Sequence, residues 1–339
     1  MQQSAEHGRT GPMSSARGHP IRSTTGVEVA RGRAPWLNGR VALTRARTAP
    51  IGAVLASALL FGTTGTAQAL GPKGATPLGV GAARVLIGAI GLLVVARVMR
   101  SARTGWFANR ATLVVAGIGV AGYQIGFFEG TKRAGVALGT LVALGSGPVF
   151  AGGFHAILSR RWPSRGWVVA TSLAGAGAGL VAIARNDQPG DSAAFGVLCA
   201  LLAGLSYAVF SLASKQAMAR GVDPIGAMAA AFTIGAIVLV PFVFVEPMHW
   251  LSTGRGIAMA VHLGLAATTL AYALFGFGLS HLNVPTVVTL TLAEPATAAI
   301  LSVLVLSQHL AFVGWIGVAL VMTGVVVVAT VRSEPAPGR

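Results

Sequence analysis

The chain has 339 residues, 54% of them hydrophobic and only 10% charged, with a mean hydropathy of +0.72. An ordinary soluble domain carries roughly 25% charged residues. A soluble globule, a coiled coil and a disordered chain are therefore excluded, and an integral membrane protein remains. The net charge of +16 does not point to nucleic acid, because eight of the 25 Lys and Arg fall in the first 50 residues and most others punctuate apolar runs. No basic stripe is interleaved with aromatics, so no nucleic-acid partner is expected. One cysteine, Cys199, forbids an intrachain disulfide and any CxxC metal or redox site. Neither a metal nor a cofactor is expected.

Residues 1–48 are rich in Arg, Ser, Thr and Gly, with only Glu6 and Glu28 as acids. They lack the apolar core of a secretory signal. They read as a disordered basic cytoplasmic tail or as an extension ahead of the true start. A sharper alternative docks Arg31, Arg33, Arg40, Arg45 and Arg47 on anionic lipid.

From Ile51 to Val331 apolar runs recur about every 28 residues, one ~20-residue span and a short loop each. Ten spans fit, at roughly 51–70, 78–98, 111–130, 135–158, 167–184, 195–218, 225–245, 257–279, 285–306 and 311–331. Their length and the absence of alternating polarity make them helices rather than barrel strands. With a cytoplasmic N-terminus the inner loops hold Arg97, Arg100, Arg103, Arg110, Arg160, Arg161, Arg165, Lys215, Arg220, Arg332 and Arg339. The outer loops hold only Lys73, Lys132, Arg133, Arg185 and Arg255. This bias places both termini in the cytoplasm.

The stretch Pro77–Ile90 aligns with Pro224–Ile237 at an offset of 147 residues, with eight of 14 positions identical. The same offset places Pro148 on Pro295 and Gly177 on Gly324. Five spans per repeat is an odd number, so the second half must enter the membrane upside down, the usual construction of an alternating-access carrier. The expected fold is all-α, ten transmembrane helices as two inverted five-helix repeats over residues 49–186 and 187–331, with a short cytoplasmic tail at 332–339.

Intramembrane charge carries the functional signal, because a charge at mid-bilayer costs roughly 3 kcal/mol and is placed against a partner or a water-filled cavity. Glu294 lies about nine residues into span 9, ~13 Å from its inner end. Pro295 follows it and frees a carbonyl near residue 291. Glu294 is either a proton or cation site or a neutral acid that mends the kink. Arg84, ~10 Å below the outer end of span 2, either binds an anionic substrate group, snorkels, or forms a structural ion pair. The two heights differ by ~7 Å in a ~30 Å core, so a pair between Arg84 and Glu294 is expected if spans 2 and 9 face one cavity. Their repeat partners are Ala231 and Gly147, so the fold does not require either charge in both halves.

Glu129 stands four residues before Arg133, as in a helical salt bridge, and is otherwise a pathway acid. Lys215 is placed to snorkel. Gln68, Tyr123, Gln124 and Tyr207 either line a polar cavity or hydrogen-bond between helices. His155 and His262 have no second ligand nearby and read as packing residues or proton-handling groups. Pro148 and Pro295 are the expected helix breaks. Gly122, Gly126 and Gly130, like Gly175 and Gly179, form small-xxx-small ladders. No GxxxxGK[ST] occurs, which excludes direct ATP hydrolysis.

On these residues the chain resembles the EamA family of the drug/metabolite transporter superfamily, two tandem five-helix repeats. The resemblance covers residues 51–331. It rests on Gly81-Ala82-Ala83-Arg84, on Ala293-Glu294-Pro295, and on Gly314-Trp315-Ile316-Gly317-Val318-Ala319-Leu320 before Gly324. Where that family usually carries a Gly-Glu pair after span 9, Ser307-Gln308 stands here, so no role transfers to that glutamate. The resemblance implies a permease, often an exporter, of small metabolites such as amino acids or drugs in the inner or plasma membrane. Its partners would be a small-molecule substrate and the lipid bilayer, with a homodimer as one arrangement open to it. A receptor or scaffold without flux, or an intramembrane enzyme, are the alternatives. The enzyme lacks HExxH, a nucleophile beside a base, or paired carboxylates, and no catalytic residue is assigned.

A reporter fused after Arg339 should read cytoplasmic and one inserted near Asp187 external; the reversed pattern at both sites would refute the topology.

Overall fold

Inside a bilayer every backbone N–H and C=O must be satisfied by the protein, so each apolar run becomes a helix. The structure, a computed structural model, describes residues 35–101, 105–184 and 192–330, with side chains from residue 48 onward. Residues 1–34 and 331–339, which take in most of the two tails, lie outside the described residues. The chain divides into residues 1–42 and 43–339, and among the described residues ten helices long and apolar enough to cross a membrane lie in the second unit.

The helices are α1 (Pro35–Leu70), α2 (Pro77–Val98), α3 (Arg110–Ala134), α4 (Val136–Ser159), α5 (Arg165–Ile183), α6 (Ala193–Ala219) and α7 (Pro224–Val245). They continue with α8 (Gly254–Val261), a π-helical segment (His262–Leu270), α9 (Ala271–His281), α10 (Val284–Leu290), α11 (Ala293–Leu304) and α12 (Phe312–Thr330). Span 8 is thus α8, the π segment and α9 in one rod, and span 9 is α10 plus α11. Among the described residues there is no strand.

Local sequence sets the ends. Thr76 accepts from the Gly79 N–H ahead of Pro77, and Asp223 accepts from Ile225 and Gly226 ahead of Pro224. A side-chain oxygen at the cap and proline in the first turn are the chemistry that starts a helix. Gly135 alone joins α3 to α4 at φ +87°, a left-handed conformation that favours glycine. One expectation needs correction: the helical backbone of α1 begins at Pro35, well before residue 48. Proline opens that helix without losing a bond, and Leu37, Ala42, Leu43, Arg45 and Ala46 all favour helix.

Apolar side chains such as Val94, Ile118, Val149, Ile237 and Val326 point outward and are exposed. Such an apolar exterior is what lipid covers. Small residues fill the seams between helices. The backbones of α5 and α12 meet closely. A Cβ on Gly177 would lie 2.6 Å from the Val321 nitrogen, and one on Gly324 2.7 Å from the Ala174 nitrogen. Residues 174 and 321, like 177 and 324, are 147 apart, so each half of the seam repeats the other. The expected ladder on α5 is shifted, because Gly175 faces open space and Gly177 carries the seam.

The remaining pairings exchange in the same way. α2 packs on α7; α3 packs on α7 as α2 packs on the π segment. α6 packs on α3 and α4. Correspondingly, Gly278 of α9 approaches the Pro50 carbonyl of α1, and Gly62 of α1 approaches the Glu294 carbonyl and Thr297 of α11. These pairings are consistent with two inverted five-helix repeats.

The symmetry fails at the two prolines. Pro148 does not break α4, which is continuous from Val136 to Ser159. Span 9 does break, at Thr291–Leu292, just before Pro295. There Leu292 N–H donates to the Thr289 carbonyl at 3.1 Å and Glu294 N–H to the Thr291 carbonyl at 3.0 Å, so a tight turn captures the carbonyl that Pro295 leaves free. The Thr291 hydroxyl is held by Tyr207, whereas the equivalent position in α4 is Leu144, which offers no hydroxyl to hold a turn.

Overpacking a close seam costs about 1–3 kcal/mol. Gly177→Ala and Gly324→Ala should each lower the melting temperature in detergent, while Gly175→Ala, facing open space, should leave it unchanged or raise it. Equal losses at 175 and 177 would refute the seam.

Candidate functional site

Arg84, Tyr123, Gln124, Tyr207, Phe210, Phe232 and Tyr272 line one cavity between α2, α3, α6, α7 and α9. The chain contains only three tyrosines, and all of them are here. Their rings pack in a continuous cluster: Tyr123 to Tyr207 at 5.7 Å, Phe232 to Tyr272 at 4.2 Å and Phe61 to Tyr272 at 4.9 Å between centroids. The open volume is about 10 Å³, room for about one water, so the rings nearly close the cavity.

Arg84 is buried, with 9% of its surface exposed, and its Nε has no hydrogen-bond partner. A charged group in that state is costly unless something neutralises it. Gln124 is fixed differently: its Nε2 donates to the Gly81 carbonyl at 3.1 Å and so ties α3 to α2 one turn before Arg84. The Tyr207 hydroxyl donates to Thr291 at 3.2 Å, and Thr291 in turn donates to the Val288 carbonyl at 2.9 Å. The cavity wall is therefore bonded directly to the broken turn of span 9. Below that turn the Thr289 and Thr171 hydroxyls, 2.9 Å apart, join α10 to α5.

Glu294 sits in the first turn of α11. The positive end of a helix favours an anion there. It lines a second cleft, of about 60 Å³, between α4, α5 and α11. Arg84 and Glu294 are within electrostatic reach of each other but form no ion pair, which corrects the expected contact. The physical reason is that each lines its own cavity.

The other candidates are not brought to the cavity. Glu129 bonds Arg133 Nε at 2.8 Å at the surface, the helical pair that its spacing suggests. Gln68 reaches only the Thr64 carbonyl, at 3.5 Å, near the end of α1. Lys215 does not snorkel: its ammonium donates to the carbonyls of Leu279 and Ser280 at 2.7 and 2.9 Å, capping α9. His262 Nε2 lies 2.8 Å from the Thr63 hydroxyl where the π segment begins. Sequence reasoning missed Tyr272, Phe210 and Phe232. The rarity of tyrosine was the available signal for Tyr272. The π segment, in which Thr268 and Thr269 donate to the carbonyls five residues back, had none.

The EamA-like transporter family matches residues 194–330. The chain is similar to the uncharacterized transporter YwfM of Bacillus subtilis, 39% identical over 276 residues that cover 81% of this chain and 92% of the relative. It is also similar to an uncharacterized transporter of Archaeoglobus fulgidus, 26% identical over 151 residues, covering 44% and 53% of the two chains. A protein of known crystal structure, 22% identical, shares the fold with a TM-score of 0.71 over 83% of this chain and 96% of its own. With ten apolar spans, and kinship to a full-length relative at this identity, the chain belongs to the EamA-like transporter family of multi-pass membrane proteins.

Proposed function

We propose that the protein is a secondary carrier for small metabolites bearing a carboxylate or similar anionic group, working by alternating access between two inverted repeats in the cell membrane with both termini cytoplasmic. The observation that carries this reading is the buried Arg84, whose Nε lacks a partner in a cavity lined by every tyrosine of the chain. A guanidinium fork matches a carboxylate in two parallel bonds, and the tyrosines offer both ring faces and hydroxyls to the rest of a small solute. The volume of about 10 Å³ corresponds to an occluded state that must widen to load. Glu294, at mid-span beside the broken helix, is the proton-coupling group in this reading. Export, rather than uptake, is the direction the family resemblance favours.

An unpaired buried charge is kept for function at the expense of stability. Replacing buried charges by apolar residues of similar volume is often neutral or stabilising by about 1–4 kcal/mol. Arg84→Met should therefore hold or raise the melting temperature while abolishing flux in proteoliposomes. A large loss of stability would instead make Arg84 a structural residue.

Glu294→Gln keeps the shape and removes the titrating group. The variant should insert normally and lose transport driven by a pH gradient. Undiminished pH-driven flux would take Glu294 out of the mechanism.

A further inference from the structure

The two cavities share neither a lining residue nor a helix. The Arg84 cavity is bounded by α2, α3, α6, α7 and α9, and the Glu294 cleft by α4, α5 and α11. Glu294 is nevertheless within electrostatic reach of Arg84, Tyr123, Tyr207 and Tyr272, the charged and titratable groups facing it from α2, α3, α6 and α9. Its carboxyl lines the cleft while the charge of Arg84 acts on it. From α1 the near neighbour is Gly62 on its backbone. The residues lining the cleft from α4 and α5 include no titratable group.

The cleft has a direction. Its lining runs from Val136, the first residue of α4, and Ala182, next to the last of α5, down to Glu294 and Pro295. In the proposed topology those helix ends lie on the outer side. The lining is apolar except for Thr140 and Glu294. At about 60 Å³, on the scale that gives the Arg84 cavity about one water, it accommodates about four to six waters.

We propose that Glu294 exchanges its proton with the outer side through this cleft, by way of Thr140 and water, while substrate occupies the Arg84 cavity. A hydronium at the mouth gives its proton to the Glu294 carboxylate and leaves as water; release runs in reverse. Substrate and proton then have separate entrances and meet only through electrostatics. The inference rests on the carrier reading for the use made of the proton, but access can be measured without transport.

The single native cysteine makes the test direct, since Cys199→Ser in the full-length chain gives a cysteine-free background. Into it goes Glu294→Cys, and silver ion, a thiol reagent small enough for a water-sized passage, is added outside intact cells, labelling being read as the thiol lost to maleimide after detergent lysis. Labelling is expected. Ala182→Trp, which plugs the cleft, should slow it about tenfold, equivalent to about 1.4 kcal/mol of added barrier. Tyr123→Trp, which fills the Arg84 cavity, should leave the rate unchanged. Should Ala182→Trp fail to insert, Ala178→Trp blocks the same cleft, and Thr140→Cys reads the route without altering Glu294. Absence of labelling from outside at both positions, or slowing by Tyr123→Trp but not by the alanine replacements, overturns the proposal. Loss of the carrier reading would show separately, as absence of flux from proteoliposomes of the unaltered protein while the labelling pattern stays the same.

Discussion

A carboxyl at mid-membrane has to be compensated, and here it stands in the first turn of a helix and within electrostatic reach of a guanidinium. Span 9 unwinds for one turn at Thr291–Leu292, and the second half restarts at Ala293 with Glu294 in its first turn. The turn's own bonds from Leu292 and Glu294 keep its backbone satisfied, which hydrocarbon demands. The positive end of α11 favours an anion at that position. Arg84 acts on it from a distance and stays buried beside its own cavity with its Nε unpaired. One broken turn thus sets where Glu294 stands.

Positions 147 residues apart match along a packing seam and differ at the candidate site. At the α5–α12 seam the two halves use matching positions, Gly177 with Val321 and Gly324 with Ala174. At the candidate site they differ: Thr291 against Leu144, Glu294 against Gly147, Arg84 against Ala231. Span 8 adds a π segment, held by Thr268 and Thr269, where span 3 is α-helical throughout. A widened helix has one more residue per turn to reposition side chains, and Tyr272 follows two residues after it.

Most of the ten spans could be read from the sequence to within a few residues, because run length and hydropathy respond to one variable, the thickness of the hydrocarbon core. Pro295 marked the break correctly since proline removes a bond wherever it sits, yet Pro148 marked none. Whether the lost bond opens a turn depends on what a neighbouring helix offers, here a tyrosine hydroxyl for Thr291 and nothing for Leu144. The same limit explains Arg84 and Glu294. Their depths were legible along the helix axes, but the direction each side chain faces around its axis is set by tertiary packing. Tyr272 was overlooked because a lone polar residue in an apolar span carries no periodicity. Glu129 was the opposite case: spacing of four from Arg133 is local geometry, and local geometry survives folding.

Bulk and smallness are distributed with a consequence for movement. Gly126 and Gly130 of α3 lie close against the backbone of α6 at Ala203 and Ala200, as Gly177 and Gly317 do across α5 and α12. Such seams have almost no side-chain slack. The large rings are gathered instead at the centre, where Tyr123, Tyr207, Phe210, Phe232 and Tyr272 meet ring to ring. Rings turn about rotatable bonds and interlocked backbones do not. The cavity is therefore closed by its adjustable parts and framed by its rigid ones, with Arg84 at the boundary between them.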